Sequence, residues 1–170
     1  MLAYIKEGSV IKTLYIIRHA KSSWKDLALD DFERPLNKRG KRDAPVMGER
    51  LAKNQVMPDI ILSSPAKRAK MSAKIIANKV HYDKKIIFKQ EIYEADQQTL
   101  QKIVNNIDDR YDTAFLVGHN PGLNELAEYY VNYEENLPTC GIIGIAFTCN
   151  HWKESNAENA RLLSVDYPKK

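Results

Sequence analysis

Residues 13–24 read TLYIIRHAKSSW. Leu14, Tyr15, Ile16 and Ile17 make an unbroken apolar run, and Arg18 and His19 end it. Alternation would mark a strand with one wet face. An unbroken run marks a strand covered on both faces, the habit of strands in parallel sheets. In open sheets of that kind, ligands bind beyond the carboxyl ends of the strands. The stretch therefore predicts a buried strand that delivers a cation and an imidazole to a ligand-binding edge. It then passes into small residues, Ala20, Ser22 and Ser23.

Working outward, strand-like and helix-like segments alternate. Residues 38–54 predict a helix with Ala44, Met47 and Leu51 on one face, and residues 59–63 a second strand. Ser64-Pro65 reads as an N-cap followed by proline at the first helical position. That helix runs to about Val80, with Ala69, Ala73, Ile76 and Val80 on its buried side. Residues 86–88 make a short strand and residues 90–97 a polar loop. Leu100, Ile103, Val104 and Ile107 mark the next helix by their spacing. Residues 113–117 are strand-like again. Asn120-Pro121 repeats the cap-then-proline signal before Leu123, Leu126, Ala127 and Tyr130. Two late strands fall near residues 142–148 and 161–165. The order predicts an α/β three-layer sandwich, a mainly parallel central sheet flanked by helices on both faces. Residues 1–170 are expected to form a single domain, with residues 1–12 an extra N-terminal arm or a frayed terminus.

Composition narrows the function classes. The 170 residues are 44% hydrophobic, enough for one core. The net charge of +4 favours anionic ligands in general, but it is too small and too scattered to argue for nucleic acid. No apolar stretch approaches ~18 residues, so no membrane span is expected. The opening MLAYIKEGSVIK lacks the features of a secretory signal. Cys140 and Cys149 form no CxxC pair and no metal-ligand spacing, which reads as free thiols in a reducing cytoplasm. There is no HExxH, no Walker-type loop and no clustered Asp pair with a partner histidine. No metal or other cofactor is expected, and a monomer is the default.

The strand ends carry a recurring chemistry. Arg18-His19 follow the first strand, Ser63 to Arg68 the second, Glu91 and Glu94 the short third, and Gly118-His119-Asn120-Pro121 the fourth. Singly, each has an ordinary explanation: a capping histidine, a loop acid, or an Arg68 that joins Lys67, Lys70 and Lys74 on a solvated face. His81 and His151 have no such company and read as structural or exposed. Jointly, two histidines, two arginines and a carboxylate converge on one sheet edge. Phosphoryl transfer suits that set. Guanidinium forks hold phosphoryl oxygens, and helix N-termini add unpaired N–H groups. A neutral imidazole can attack phosphorus if its other nitrogen is hydrogen-bonded. An acid opposite would protonate the leaving atom.

These residues resemble the histidine phosphatase superfamily, whose mark is an Arg-His-Gly motif after the first strand. YIIRHAKSSW resembles it with alanine for glycine, LSSPAKRAKMSA resembles its second segment, and FLVGHNPGLNEL the segment with the second histidine. DDFERPLNKRG resembles the Arg-Pro-Leu loop between the first two. Length and the RHAKSSW variant are most similar to the small SixA-type phosphohistidine phosphatases, which lack the inserted helices that roof larger members. The resemblance implies a phosphoglycerate mutase-like fold, His19 as nucleophile, and Arg18, Arg68 and His119 as phosphoryl-oxygen ligands. It implies Ser22 near the phosphate and Glu94 as proton donor, with Glu91 the alternative and an enzyme without a clear acid a third. A phosphoramidate leaves through a nitrogen that can already carry a proton, so it needs less acid help. Ala20 fits if its φ is negative, and Lys21 makes the mouth more basic.

The resulting expectation is a metal-independent phosphatase acting through phosphohistidine on His19. Its partner is a phosphorylated protein, such as one carrying phosphohistidine, or a small phosphorylated metabolite. The competing readings are a mutase, disfavoured by the short chain, a metabolite phosphatase, and a non-catalytic phosphate-binding protein, disfavoured by both histidines and both arginines.

Overall fold

The structure is a computed structural model that describes residues 11–170. Its strands are β1 (Ile11–Arg18), β2 (Ile60–Ser63), β3 (Ile87–Phe88), β4 (Thr113–Gly118), β5 (Ile142–Thr148) and β6 (Ala160–Asp166). Its helices are α1 (Lys38–Lys53), α2 (Lys67–Lys79), α3 (Gln97–Asn105) and α4 (Gly122–Val131). One sheet holds all six strands in the order β3-β2-β4-β1-β5-β6. β3, β2, β4 and β1 run parallel, while β5 is antiparallel to both β1 and β6. The expected α/β sandwich with a mainly parallel sheet is the one observed.

The apolar run of β1 now has its reason. Leu14 and Ile16 join one core cluster, with Leu100, Val104, Leu123 and Leu126 of α3 and α4. Ile17 joins the other, with Ala44, Met47, Ala73 and Ile76 of α1 and α2. β4 alternates likewise, Ala114 and Leu116 to the first cluster, Phe115 and Val117 to the second. Each strand buries both faces, so neither shows a polar alternation. The chain steps outward from β1 to β2 and β3, then returns to lay β4 between β1 and β2. Right-handed crossovers put α1 and α2 on one face and, after the reversal, α3 on the other. Such a reversal opens a crevice at the carboxyl ends of the two central strands.

Three expectations change in detail. The first strand starts at Ile11, not Leu14, because Ile11 pairs with Thr148. Lys12 is buried, its ammonium satisfied by the Asp109 carbonyl at 2.7 Å and the Asp112 carboxylate at 2.9 Å. Residues 11 and 12 are thus no arm, and residues 1–10 lie outside the described residues. Second, Ser64 does not cap α2. Its N–H is tied to Val117 O at 3.0 Å just past the end of β2, and the helix begins at Lys67 with Ala66 in the cap position. Third, Pro121 takes the cap position of α4, although Asn120 Oδ1 still accepts the Asn124 N–H at 3.1 Å. At α1 the cap is Asn37, whose side chain accepts from Gly40 N–H at 2.9 Å. Gly40 matters for a second reason: a Cβ there would collide with the Lys21 carbonyl. The helix start therefore presses directly on the turn that follows His19.

Candidate active site

The register of the two central strands sets the site. Arg18 pairs with Gly118, and the His19 N–H reaches the Gly118 carbonyl at 3.1 Å. His19 and His119 therefore leave adjacent strands side by side, with ring centroids 5.1 Å apart. The backbone of His19 is pinned from the far side as well, since Cys140 N–H donates to its carbonyl at 2.9 Å.

His19 is buried, and its Nδ1–H donates to the Ala20 carbonyl at 2.7 Å. That bond leaves Nε2 as the lone-pair nitrogen. Burial, opposed in part by the Ala20 carbonyl and helped by His119, Arg68 and Arg18, pulls its pKa down to about 3. The ring is neutral, tautomerically defined and nucleophilic at neutral pH. Ala20 lies outside the left-handed region and is fully buried in the α1–α2 core, its N–H bonded to Ser72 Oγ at 2.9 Å. The position accepts alanine without strain.

His119 sits with Nε2 2.8 Å from Ser64 Oγ. Burial, followed by Arg68, lowers its pKa to about 4, with Asp31 pulling the other way. It too is neutral. The two guanidinium groups stand nearby. Arg18 Nη1 donates to the Leu137 carbonyl at 2.9 Å, and burial together with Arg68 lowers its pKa. Arg68, in the first turn of α2, is almost fully buried and donates to Asp31 twice, to its carbonyl at 2.7 Å and to Oδ2 at 2.9 Å.

Among the described residues, four buried side-chain polar atoms have no hydrogen-bond partner. Three of them are Arg18 Nε, Arg68 Nε and His119 Nδ1. Native interiors rarely leave such atoms unpaired, because each costs about 1–3 kcal/mol. Arg68 stands close enough to lower the pKa of both Arg18 and His119, and two of these three side chains are cationic.

The structure adds residues with no role assigned from sequence. Asp31, on the loop before α1, accepts from Arg68, from Arg34 Nη2 at 3.0 Å and from Tyr93 Oη at 2.6 Å. Its partial burial would raise its pKa, but these three donors outweigh that and hold the carboxyl at about 2. Tyr93, raised to about 12 by burial and by Asp31, stands edge-on to His119 at 5.5 Å. Arg34 lies buried behind them and donates from Nη1 to Ser22 Oγ at 2.7 Å. Its guanidinium also stacks 3.6 Å from the Trp24 ring. Ser22 is therefore buried beside the site with Arg34 as its observed partner.

The two candidate acids separate. Glu94 lines a pocket of about 470 Å³ together with Asp31, Arg68, Tyr93, His119 and Asn120. Its backbone has φ of 59°, a left-handed conformation unusual outside glycine. Glu91 points instead to a separate groove with Ile87, Lys102 and Arg110. Among the described residues no group of three or more His, Cys, Asp or Glu is spaced to hold a metal ion.

Two neutral histidines, two guanidinium groups and an exposed carboxylate thus gather at the crevice of a mainly parallel α/β sheet. The family model of the histidine phosphatase superfamily (branch 1) matches residues 14–129, and the chain belongs to that superfamily. An uncharacterized chloroplastic protein of Arabidopsis thaliana is 32% identical over 159 residues, 88% of this chain and 72% of that one. A SixA protein from Agrobacterium tumefaciens shares the fold, with a TM-score of 0.80 at 24% identity over 92% of this chain and 98% of that one. The protein histidine phosphatase SixA complexed with tungstate is similar over 92% of this chain and 97% of its own, with a TM-score of 0.75 at 18% identity.

Proposed function

We propose that the chain is a metal-independent phosphatase that passes a phosphoryl group through His19, with a phosphohistidine-bearing protein as its substrate. The observation that carries the chemistry is the meeting of a neutral, tautomer-fixed His19 with three unpartnered donors and acceptors on Arg18, Arg68 and His119. In the first step the Nε2 lone pair forms a bond to phosphorus, and the bond to the leaving oxygen or nitrogen breaks with its electron pair. Glu94 gives that atom a proton when it needs one. In the second step water attacks the phosphorus of phospho-His19, Glu94 takes a proton from the water, and orthophosphate leaves with His19 restored. Arg18, Arg68 and His119 hold the equatorial oxygens in both steps. Ser22 supports this cradle by orienting Arg34.

The open mouth supports a phosphoryl group presented on a protein surface. Among the described residues no segment joining consecutive strands holds more than one α-helix, and Glu94 is exposed at the rim. The architecture of SixA-type proteins is consistent with that choice.

The test is turnover of a phosphohistidine protein, a phosphotyrosine peptide, an aryl phosphate and a panel of sugar phosphates, all with chelator present. The expected result is chelator-resistant hydrolysis that favours phosphohistidine, an acid-labile phosphoenzyme, and its loss in His19→Ala. Preference for a sugar phosphate would move the substrate to the metabolite class. Phosphopeptide binding with no turnover of any substrate would leave a binding module.

A further inference from the structure

Ser64 lies between β2 and α2 and is completely buried. Its hydroxyl has two neighbours among the described residues. The Ala66 N–H donates to Oγ at 3.2 Å, and His119 Nε2 lies 2.8 Å away. The contact to His119 has two arrangements. Either the ring's Nε2–H donates to Oγ, or the serine O–H donates to an Nε2 lone pair.

The surroundings choose between them. A serine hydroxyl has one proton and two lone pairs. Its oxygen already accepts one hydrogen bond, from Ala66. If His119 donated as well, the hydroxyl proton would be left with no acceptor in a fully buried position, at a cost of about 1–3 kcal/mol. The consequence at the other end of the ring is worse. His119 Nδ1 is buried with no protein partner, and the Arg68 and Arg18 side chains, which also carry unpartnered Nε atoms, are close enough to act on the ring. A ring protonated on Nε2 would aim an Nδ1 lone pair at an anion's oxygens. A ring protonated on Nδ1 aims a donor at them.

We propose that Ser64 is a positioning residue that fixes the tautomer of His119: its O–H donates to Nε2, which places the single ring hydrogen on Nδ1, facing the phosphoryl oxygens. This rests on the phosphoryl-transfer reading of the site. It answers how a ring without a positive charge serves as an oxyanion ligand. The two histidines are then oriented by opposite devices. A carbonyl acceptor keeps the hydrogen of His19 away from phosphorus, and a hydroxyl donor turns the hydrogen of His119 toward it. Strand β4 reinforces the arrangement, because Val117 O holds the Ser64 N–H at 3.0 Å two residues before His119.

The test reads the tautomer directly, so it stands whether or not the substrate assignment does. In 15N-labelled protein at pH 7, long-range proton–nitrogen correlation spectra should show His119 as the Nδ1–H tautomer. Ser64→Thr, which retains a hydroxyl, should keep it; Ser64→Ala should shift the ring to Nε2–H or a mixture. In parallel, kcat for an aryl phosphate should fall about tenfold or more in Ser64→Ala, since losing a single oxyanion donor outright costs about 10²–10³. Ser64→Thr should restore it. An Nε2–H tautomer in the wild-type protein overturns the proposal, as does an unchanged Nδ1–H tautomer in Ser64→Ala. Loss of kcat in both variants with an unmoved tautomer would reduce Ser64 to a packing role and also overturn it. Failure of the wild-type protein to turn over any phosphate would instead refute the phosphatase reading while leaving the spectra to decide the tautomer.

Discussion

Lowering the pH from 7 to 5 should strip this fold of a sizeable part of its stability through two side chains. His19 is held at about 3 and His119 at about 4, whereas a histidine in an unfolded chain titrates near 6.5. Between those values the unfolded chain binds protons that the native state refuses, so stability drops as pH drops. Summed over both rings, the loss from pH 7 to pH 5 is ~4 kcal/mol, out of a total of ~5–15 kcal/mol for a domain. Asp31 does not enter this window. Its depressed value of about 2 means that its contribution is lost only as pH falls through the ordinary carboxylate range and below. The assay is urea unfolding at pH 7, 6 and 5. With a slope of ~2 kcal/mol per molar, the wild-type midpoint should fall by ~2 M over that interval. His119→Gln should halve the pH dependence, and a double variant at His19 and His119 should remove most of it, whatever its midpoint at pH 7. A wild-type midpoint that moves by less than ~0.5 M would refute the view that burial keeps both rings neutral. A double variant with the full pH dependence would refute it equally.

Glu94→Gln should lower kcat for an alkyl phosphate by about 10²-fold and for phosphohistidine by much less, while Glu91→Gln leaves both unchanged; steady-state kinetics on the two substrates checks this. Asp31→Asn keeps the shape but removes the charge that Arg68 and Arg34 share, so Arg68 should lose its fixed orientation. The expected readout is a KM for aryl phosphate raised about tenfold, one charge-assisted hydrogen bond's worth. Gly40→Ala forces a methyl group against the Lys21 carbonyl. It should destabilise the protein by about 1–3 kcal/mol in urea unfolding and lower kcat, because the turn after His19 has to shift.

The sequence was most readable where local pattern and global burial ask for the same thing. β1 and β4 are covered on both faces, so their apolar runs survive unbroken, and the polar residues that end them stand out. Arg18, His19 and His119 stand out for that reason; Arg68, in the first turn of α2, stands out only in company with them and through the resemblance of its segment. The start of α2 was misread because Ser64-Pro65 has the local chemistry of a cap. A hydrogen bond from its N–H to Val117 O holds Ser64 just past the end of β2, and its hydroxyl meets His119 instead. Asp31, Arg34 and Tyr93 carry no periodic signal. Asp31 meets Arg68 across 37 positions and Tyr93 across 62, distances that only the folded loops can close. The signal available was the DDFERPL segment itself, three acids and an arginine set together in the loop that the Arg-Pro-Leu resemblance marks.

Both imidazoles leave the sheet from neighbouring rungs of one parallel ladder, so the gap between them is inherited from peptide geometry. Strands in a sheet lie ~4.8 Å apart, and the rings stand at 5.1 Å. The sheet acts as a gauge that no side chain sets. Loops could be lengthened, or a roof built over the crevice, without altering it. A slip of β1 by a single residue would alter everything, setting Arg18 or Ala20 beside His119 and turning the whole strand over. The chemistry of this chain thus hangs on a register, which is kept or lost as a unit.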